Sequence, residues 1–294
     1  MSEAYNKHMT CLVCGSTQFK ALPAFTKDYL VKCANCGFVF CERIPTRQEL
    51  DAEYSKYGRN DYLSPVTITR YNELLDGMEP YRKTNRLIDV GCGIGYFLEV
   101  ANQRGWDVYG TEFTDNAVDI CRKKGIKMQQ GVFDPKNYEA GSFDIVTSFE
   151  VMEHINNPSI EVENFRKILR VGGLVYLTTP NFNGLARNIA KSNWNIVHYP
   201  EHLSYYTPKT IARLMKAHGF KTKKILTTGV SVTRIKTSMK VSDQKFISPT
   251  SDDEKIRNAF EKNSFMGFIK KSINSLLTLL GKGDSLKAYF EKIN

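Results

Sequence analysis

The sequence predicts an α/β protein, a parallel sheet with helices on both faces that follows a small cysteine-rich module. Three observations carry this prediction. From Arg86 onwards, short apolar segments alternate with amphipathic ones, as in successive βαβ units. The first apolar segment, RLIDV, leads into a turn with three glycines, which lets the backbone approach a ligand closely. The N-terminal residues contain two C-x2-C cysteine pairs.

The cysteine-rich module covers residues 1–41 and has the spacing C-x2-C-x18-C-x2-C. The N terminus lacks an apolar run, so we expect no secretory signal and a cytoplasmic chain, where thiols bind metals more often than they form disulfides. Four thiolates complete the tetrahedral coordination of Zn²⁺, so the spacing predicts a zinc ribbon with a structural metal. The predicted ligands are Cys11, Cys14, Cys33 and Cys36.

The rest of the chain divides into four predicted segments. Polar, Tyr-rich composition predicts a linker and a covering helix over residues 42–84. The alternating pattern predicts the sheet over 85–235, a helical insertion over 236–283 and the last strand of the sheet over 284–294. No stretch approaches the run of about 18 apolar residues that a transmembrane helix requires.

The glycine turn, residues 91–95, has the spacing G-x-G-x-G. A dinucleotide fingerprint would need glycine at the next position, which is Tyr96. Asp89 lies two residues ahead of the turn, and Glu112 ends the second predicted strand. A carboxylate at position 89 would repel a pyrophosphate but would attract the ammonium of a methionine moiety, and Glu112 is placed to bind ribose hydroxyls. The pattern therefore favours S-adenosylmethionine over a dinucleotide.

Together, DVGCGIGYF, Glu112, GVFDPKNYEAGSFDIV and FEVMEHI resemble the class I S-adenosylmethionine-dependent methyltransferases, over roughly residues 85–228 and the final strand. The resemblance implies a Rossmann-like sheet of seven strands, whose antiparallel last strand is DSLKAYFEKI. It implies that the methionine part is held by Asp89, Gly91, Gly93 and Gly95, the ribose by Glu112, and the adenine by Val132 and Phe133. Many members have an acid where this chain has Val132, so we expect Asp134 to contribute to adenine binding.

Methyl transfer to a hydroxyl is helped by a general base, and histidine is the natural choice near neutral pH. The candidates are His154, which follows the fourth strand, and His198 and His202, in the segment NWNIVHYPEHLSYYT. His202 is the preferred base because Glu201 and Tyr206 stand close enough in sequence to orient it. The acceptor is expected to contact side chains suited to stacking and hydrogen bonding, namely Trp194, Glu201, Tyr205, Tyr206 and Asn181.

Two motifs that the sequence lacks limit the class of acceptor molecule. It has no D/N-P-P-Y/F phrase and no Pro-Cys after the fourth strand, which argues against amino-methylation of bases and against carbon methylation of pyrimidines. The four-cysteine module and the acceptor segment resemble bacterial enzymes that modify surface polysaccharides or nucleotide sugars. That resemblance implies O-methylation of a sugar or nucleotide-linked sugar.

Two alternatives remain open at this point. Some ribosomal-RNA methyltransferases begin with a zinc ribbon, so methylation of rRNA or tRNA is the first. A non-catalytic, methyltransferase-like binding module is the second, although the intact glycine turn and Glu112 argue against it.

The net charge of +10 is concentrated in residues 209–294, which hold 18 lysines and arginines against 7 acidic residues. An acidic partner is therefore expected to meet this part of the chain. Within it, residues 264–280 form an amphipathic pattern with Lys270 and Lys271 opposite the apolar positions. Three interpretations fit: peripheral contact with the inner face of an anionic membrane, packing on the chain's own domain, or a homodimer interface.

Overall fold

The computed structural model describes residues 6–54, 62–245, 248–261 and 264–294. The strands are β1 (Phe19–Ala21), β2 (Leu30–Cys33), β3 (Val39–Cys41), β4 (Arg86–Val90), β5 (Asp107–Glu112), β6 (Lys127–Gln130), β7 (Phe143–Phe149), β8 (Leu169–Pro180), β9 (Ser204–Tyr205), β10 (Phe220–Thr228) and β11 (Ser285–Lys292). The helices are α1 (Arg47–Tyr54), α2 (Pro65–Met78), α3 (Tyr96–Gln103), α4 (Asp115–Lys123), α5 (Pro158–Ile168), α6 (Leu185–Ala190), α7 (Pro208–Ala217), α8 (Val232–Ser238), α9 (Asp252–Glu261) and α10 (Ser264–Leu280).

The central sheet has seven strands in the order β10-β11-β8-β7-β4-β5-β6. Strands β6, β5, β4, β7 and β8 run parallel to one another, whereas β11 is antiparallel to both β8 and β10. The predicted fold class is confirmed, including the antiparallel strand from DSLKAYFEKI. The strand order reverses beside β4, so the glycine turn lies at the edge where such sheets bind ligands.

A second, four-stranded sheet has the order β1-β2-β3-β9. Three of its strands come from the cysteine-rich module, and the fourth comes from residues beyond β8. Val39 pairs with Tyr205 and Phe40 pairs with Ser204 in antiparallel register. The buried rings of Phe38, Phe40 and Tyr206 belong to the same hydrophobic core cluster as strands of the central sheet. The module is therefore joined to the rest of the protein by both backbone pairing and shared core.

Helices α2 and α9 lie side by side over the glycine turn and cover the ligand-binding edge of the sheet. Their contact is polar and buried. The Glu254 carboxylate at the start of α9 accepts a hydrogen bond from the Ser64 hydroxyl, with 2.6 Å between the oxygens, and another from Tyr62 at 3.1 Å. A buried carboxylate needs such donors, so these bonds fix α9 against the residues that precede α2.

Helix α10 packs on β10 and α9 along one side. Leu277 is buried there, but its apolar neighbours on the other side, including Phe268, Leu276 and Leu279, are exposed. Within the part of the chain that the structure describes, no helix is both long enough and apolar enough to cross a membrane.

Candidate active site

The glycine turn connects β4 to α3 through a backbone path that only glycine adopts easily. Gly91, Gly93 and Gly95 have φ angles of 76°, 54° and 75°, in the left-handed region that disfavours a Cβ atom. At Gly91 a Cβ would also lie 2.5 Å from Val151 Cγ2. The turn is therefore specified by backbone conformation and by close packing against Val151, two residues after the end of β7.

Two carboxylates flank the turn. Asp89 is buried, and its Oδ1 accepts a hydrogen bond from the Thr147 hydroxyl at 2.8 Å. Burial raises the pKa of Asp89 to about 7; the Thr147 hydroxyl opposes this rise and Glu112 adds to it. Glu112 ends β5 with its Oε2 3.1 Å from the backbone nitrogen of Gly93, which donates to it. Both acids thus stand where the sequence predicted, one on each side of the turn.

A cavity of about 1020 Å³ opens beside the turn. Six of the predicted cofactor residues line it, namely Asp89, Gly91, Gly93, Glu112, Val132 and Phe133. Gly95 is not among the lining residues and instead starts α3. Asp134 is exposed, and its carboxylate accepts from the backbone nitrogen of Lys136 at 3.0 Å, so the structure gives it a capping role outside the cavity.

The cavity suits S-adenosylmethionine. It is large enough for the whole cofactor, and the carboxylates of Asp89 and Glu112 line it beside a tight glycine turn. Its lining also includes Tyr71, Phe149 and Glu150. A second ligand therefore has room beside the cofactor.

The three predicted catalytic histidines have different positions. His154 lines the cavity, and its Nδ1 lies 2.9 Å from the backbone oxygen of Glu201. His202 lies against it, with ring centroids 4.6 Å apart, and has its Nδ1 2.6 Å from the backbone oxygen of Ile196. His198 is 53% exposed in its side chain and faces Glu201, with 3.4 Å between Nδ1 and Oε2. Only His154 of the three borders the cavity.

Burial lowers the pKa of both inner rings. For His202 the value falls to about 4, through loss of solvent and then repulsion from His154. For His154 desolvation is also the largest cause, opposed by the backbone oxygen of Glu201. Both rings are consequently neutral at pH 7, and each is weakly basic.

The residues predicted to contact the acceptor lie mostly in packing positions. Trp194 and Tyr205 are buried against Phe182, with ring centroids 6.0 and 5.6 Å away. Tyr206 is fully buried and its hydroxyl donates to the backbone oxygen of Met152 at 3.3 Å. The Asn181 amide donates to the backbone oxygen of Gly283 at 2.7 Å. None of these four side chains is part of the cavity lining as described, because their aromatic or amide groups hold the segment together instead.

Sequence reasoning missed the acids Glu150 and Glu153. Glu150 lines the cavity directly after β7 and has a positive φ of 54°, which is unusual for a residue with a side chain. Glu153 is buried beside His154. The signal was present in FEVMEHI, since acids at the carboxyl end of a parallel strand face the ligand-binding edge.

The four cysteines of the N-terminal module meet in space. Sγ of Cys11 lies 3.5 Å from Sγ of Cys36, and Sγ of Cys14 lies 3.6 Å from Sγ of Cys33. All four sulfurs lie within 4.8 Å of one another. Zinc–sulfur bonds of about 2.3 Å in a tetrahedron place sulfurs about 3.8 Å apart, so the donor set fits Zn²⁺.

The seven-stranded sheet with one antiparallel strand, the glycine turn and its flanking carboxylates define a class I S-adenosylmethionine-dependent methyltransferase. A family model described as "Methyltransferase domain" matches residues 64–225, more than half of the chain. The chain belongs to this family and is an S-adenosylmethionine-dependent methyltransferase.

Curated relatives are named for one reaction. A "Ubiquinone biosynthesis O-methyltransferase" of Bordetella avium is 30% identical over 128 residues, which cover 41% of this chain and 52% of that protein. The protein of the same name from Aromatoleum aromaticum is 26% identical over 154 residues, covering 48% and 66%. The chain thus spans between half and two thirds of the length of these relatives.

Among solved structures, a "SAM dependent methyltransferase" from Archaeoglobus fulgidus superimposes with a TM-score of 0.52 at 18% identity. The match covers 84% of this chain and 100% of that one. At this identity the likeness concerns the fold.

Proposed function

We propose that this chain transfers the methyl group of S-adenosylmethionine to a hydroxyl oxygen of a small acceptor. The observation that carries the proposal is that a single cavity joins the glycine turn and Glu112 to His154 and Glu150. Donor and acceptor would therefore share one cavity. Relatives named O-methyltransferases support oxygen as the accepting atom.

The cofactor supplies a methyl group on a sulfonium, a good leaving group, so the protein has mainly to align the reactants and exclude water. We assign the ammonium of the methionine part to Asp89 and the ribose hydroxyls to Glu112. Val132 and Phe133 flank the adenine, and helices α2 and α9 close the cavity from above. Each assignment uses a residue that lines the cavity or an element that covers it.

The acceptor hydroxyl is assigned to the His154 side of the cavity. A neutral ring with a low pKa accepts a proton only weakly. We therefore give His154 the task of orienting and polarising the hydroxyl. His202, which packs against His154, positions that ring in place of acting as the general base expected from the sequence. His198, more exposed and outside the cavity lining, is given no role in the reaction.

The cavity lining also supports a proposal for the class of acceptor molecule. A sugar or nucleotide-linked sugar was expected from the sequence, but the aromatic residues predicted to stack on it are packed elsewhere. The cavity instead offers Tyr71 and Phe149 beside Glu150, with Arg257 at the covering helix. Aromatic walls and one cation suit a hydroxylated ring or sugar that also carries an anionic group.

We also assign a structural Zn²⁺ to the four cysteines. Because four thiolates leave no open coordination position, this metal would stabilise the fold of the module and take no part in methyl transfer. The charge of the chain lies mainly in residues 209–294 and not in the module, which gives the module no evident phosphate-binding surface.

The test is incubation of the full chain with a labelled methyl donor and four acceptor classes: hydroxylated aromatics, nucleotide sugars, cell-surface glycans and total RNA. Label in an alkali-stable ether of one of the first three classes supports the proposal. Label in RNA that declines steeply with salt would favour the RNA alternative. Cofactor binding without transfer to any class would favour a binding module. A Glu112→Ala variant, expected to lose cofactor binding, is the control for background label.

A further inference from the structure

A buried carboxylate on α5 lines the cavity. The side chain of Glu161 is 6% exposed, and it belongs to the cavity lining. Burial raises the pKa of Glu161 to about 7, and among the residues that the structure describes no hydrogen-bond donor or cation opposes this rise. A buried carboxylate without a donor is costly, so Glu161 is suited to a ligand that brings a donor into the cavity.

The position of Glu161 on α5 places it on the adenine side of the cavity. Phe165 follows Glu161 by four residues, so both side chains lie on the same face of the helix. The ring of Phe165 packs against the ring of Phe133, with centroids 5.9 Å apart, and Phe133 lines the cavity beside Val132. The helix face that carries Glu161 is therefore in contact with the residues that flank the adenine.

The loop after β6 brings no carboxylate into this part of the cavity. Val132 occupies the position that is acidic in many members of the family, and its side chain is apolar. Asp134 is exposed and accepts a hydrogen bond from the backbone nitrogen of Lys136 outside the cavity. Adenine carries an exocyclic amino group with two N–H donors. Such a group costs free energy when it is buried without an acceptor, so an acceptor from another element is needed.

We propose that Glu161 recognises the adenine base of S-adenosylmethionine by accepting a hydrogen bond from its exocyclic amino group. The inference rests on the proposed function for the placement of the adenine beside Val132 and Phe133. The acid that binds the base would then come from α5 and not from the loop after β6. Asn164, three residues further along α5, also lines the cavity, and its amide can donate to a ring nitrogen of the same base.

This arrangement makes Glu161 a specificity-determining residue. A hydrogen bond to an ionised acceptor is stronger than one between neutral groups. A base without the amino group would leave the Glu161 carboxylate buried and still without a donor, at a cost in binding free energy. The chain should therefore distinguish an adenine base from a purine that has hydrogen at the same position.

The experiment changes one group on the ligand and one on the protein. Titration calorimetry on the full chain measures the dissociation constants of S-adenosylhomocysteine and of its 6-deamino analogue, in which hydrogen replaces the amino group. Wild-type protein should bind the parent compound at least about tenfold more tightly. Glu161→Leu should bind the two compounds with dissociation constants within about twofold of each other. Glu161→Gln retains an acceptor oxygen and should keep a preference for the parent.

Glu163→Gln is the matched control. Glu163 lies on the same helix, but its carboxylate pairs with the guanidinium of Arg166, with 3.0 Å between Oε2 and Nε. The same change of carboxylate to amide at this position should leave the wild-type preference intact. Circular dichroism of ligand-free Glu161→Leu checks that a lost preference does not reflect unfolding.

Three outcomes would overturn the inference. The first is a wild-type chain that binds both compounds equally. The second is a tenfold preference that persists in Glu161→Leu, which would assign recognition of the amino group to another acceptor. The third is binding of both compounds weakened by the same factor in Glu161→Leu, which would indicate that Glu161 only supports the packing of α5.

The test also separates this inference from the proposed function. No binding of either compound to wild-type protein would contradict the proposed cofactor placement and the inference together. The expected preference in a chain without methyl transfer to any acceptor would contradict the proposed function alone, because the calorimetric readout does not depend on transferase activity.

Discussion

The ring of Phe38, in the cysteine module, packs against the ring of Tyr206, with centroids 5.3 Å apart. Both side chains are fully buried. The contact lies next to the pairing of β3 with β9, so the module packs directly against the segment that contains His202 to Tyr206. A substitution that destabilises the module should therefore also destabilise residues 202–206.

The first prediction concerns zinc. Replacing Cys14 by Ser should reduce bound zinc by one ion per chain, because a tetrahedral site with three thiolates binds far more weakly. The melting temperature should fall by more than about 5 °C, and amides of Ser204 and Tyr205 should lose protection from hydrogen exchange. Cys41→Ala, which alters the same module outside the four ligands, should keep its zinc. Unchanged zinc content in Cys14→Ser would contradict the assignment.

The second prediction follows from the raised pKa of Asp89, about 7. The carboxylate must be ionised to bind an ammonium, so the dissociation constant of S-adenosylmethionine should rise about tenfold for each pH unit below pH 7 and should be constant above it. Titration calorimetry across this range measures the slope. Asp89→Asn should bind weakly at every pH and lose the slope, and a slope retained in this variant would assign the titration to another group.

Ionisation of Asp89 should strengthen cofactor binding but should lower the stability of the ligand-free protein. The folded state holds the Asp89 proton more tightly than the unfolded state, whose pKa is near 4. Ligand-free protein should therefore lose free energy of unfolding as pH rises from about 4 to about 7. Saturating cofactor should reduce this loss, which denaturation at several pH values would reveal.

The third prediction concerns the buried ion pair of Asp144 and Arg170. Oδ1 of Asp144 lies 2.6 Å from Nε of Arg170, and Oδ2 accepts from the backbone nitrogens of residues 83–85 at 2.7 to 2.8 Å. Asp144→Ala leaves these backbone donors without their acceptor and a largely buried cation without its counter-ion, so the free energy of unfolding should fall by about 3–5 kcal/mol. Glu163→Ala breaks a partly exposed pair with Arg166 and should cost less than about 1 kcal/mol. If urea denaturation showed the same loss of unfolding free energy for both variants, the distinction between the buried and the exposed ion pair would be refuted.

The fourth prediction concerns the exposed side of α10. Phe268 and Leu279 are 68% and 83% exposed, and the surrounding C-terminal third is basic. We expect the full chain to co-migrate with vesicles rich in anionic lipid and much less with neutral vesicles. A Phe268→Ser, Leu279→Ser double variant should remain in the fraction that is not bound to vesicles. Val171→Ser, an exposed apolar residue on another surface, is the matched control. Absence of wild-type protein from the vesicle fraction would exclude membrane contact.

The cofactor side of the site was predictable because it depends on local sequence. Three glycines with positive φ, an acid two residues ahead and an acid at the end of the next strand are all positioned by β4 and β5 themselves. The final strand was predictable for a similar reason, since its alternating burial from Leu286 to Phe290 is visible in DSLKAYFEKI.

The acceptor side was less predictable because it depends on contacts between distant segments. Tyr206 and Trp194 are residue types that are common on sugar-binding surfaces. In the structure both side chains are buried, in the region where β9 pairs with β3. Asn181 likewise bonds a loop that follows α10. Periodicity does not reveal such pairings, which join residues 100 or more positions apart.

The position of β11 has a consequence for synthesis of the protein. Residues 285–292 fill the gap between β8 and β10, so the interior of the sheet is completed by the segment that leaves the ribosome last of those described. Until then, β8 and β10 each present an unpaired edge, the type of surface that invites pairing with other chains. The nascent methyltransferase should accordingly be most prone to association with other chains before residues 285–292 are synthesised, although strands β4 to β8 are already available to pair.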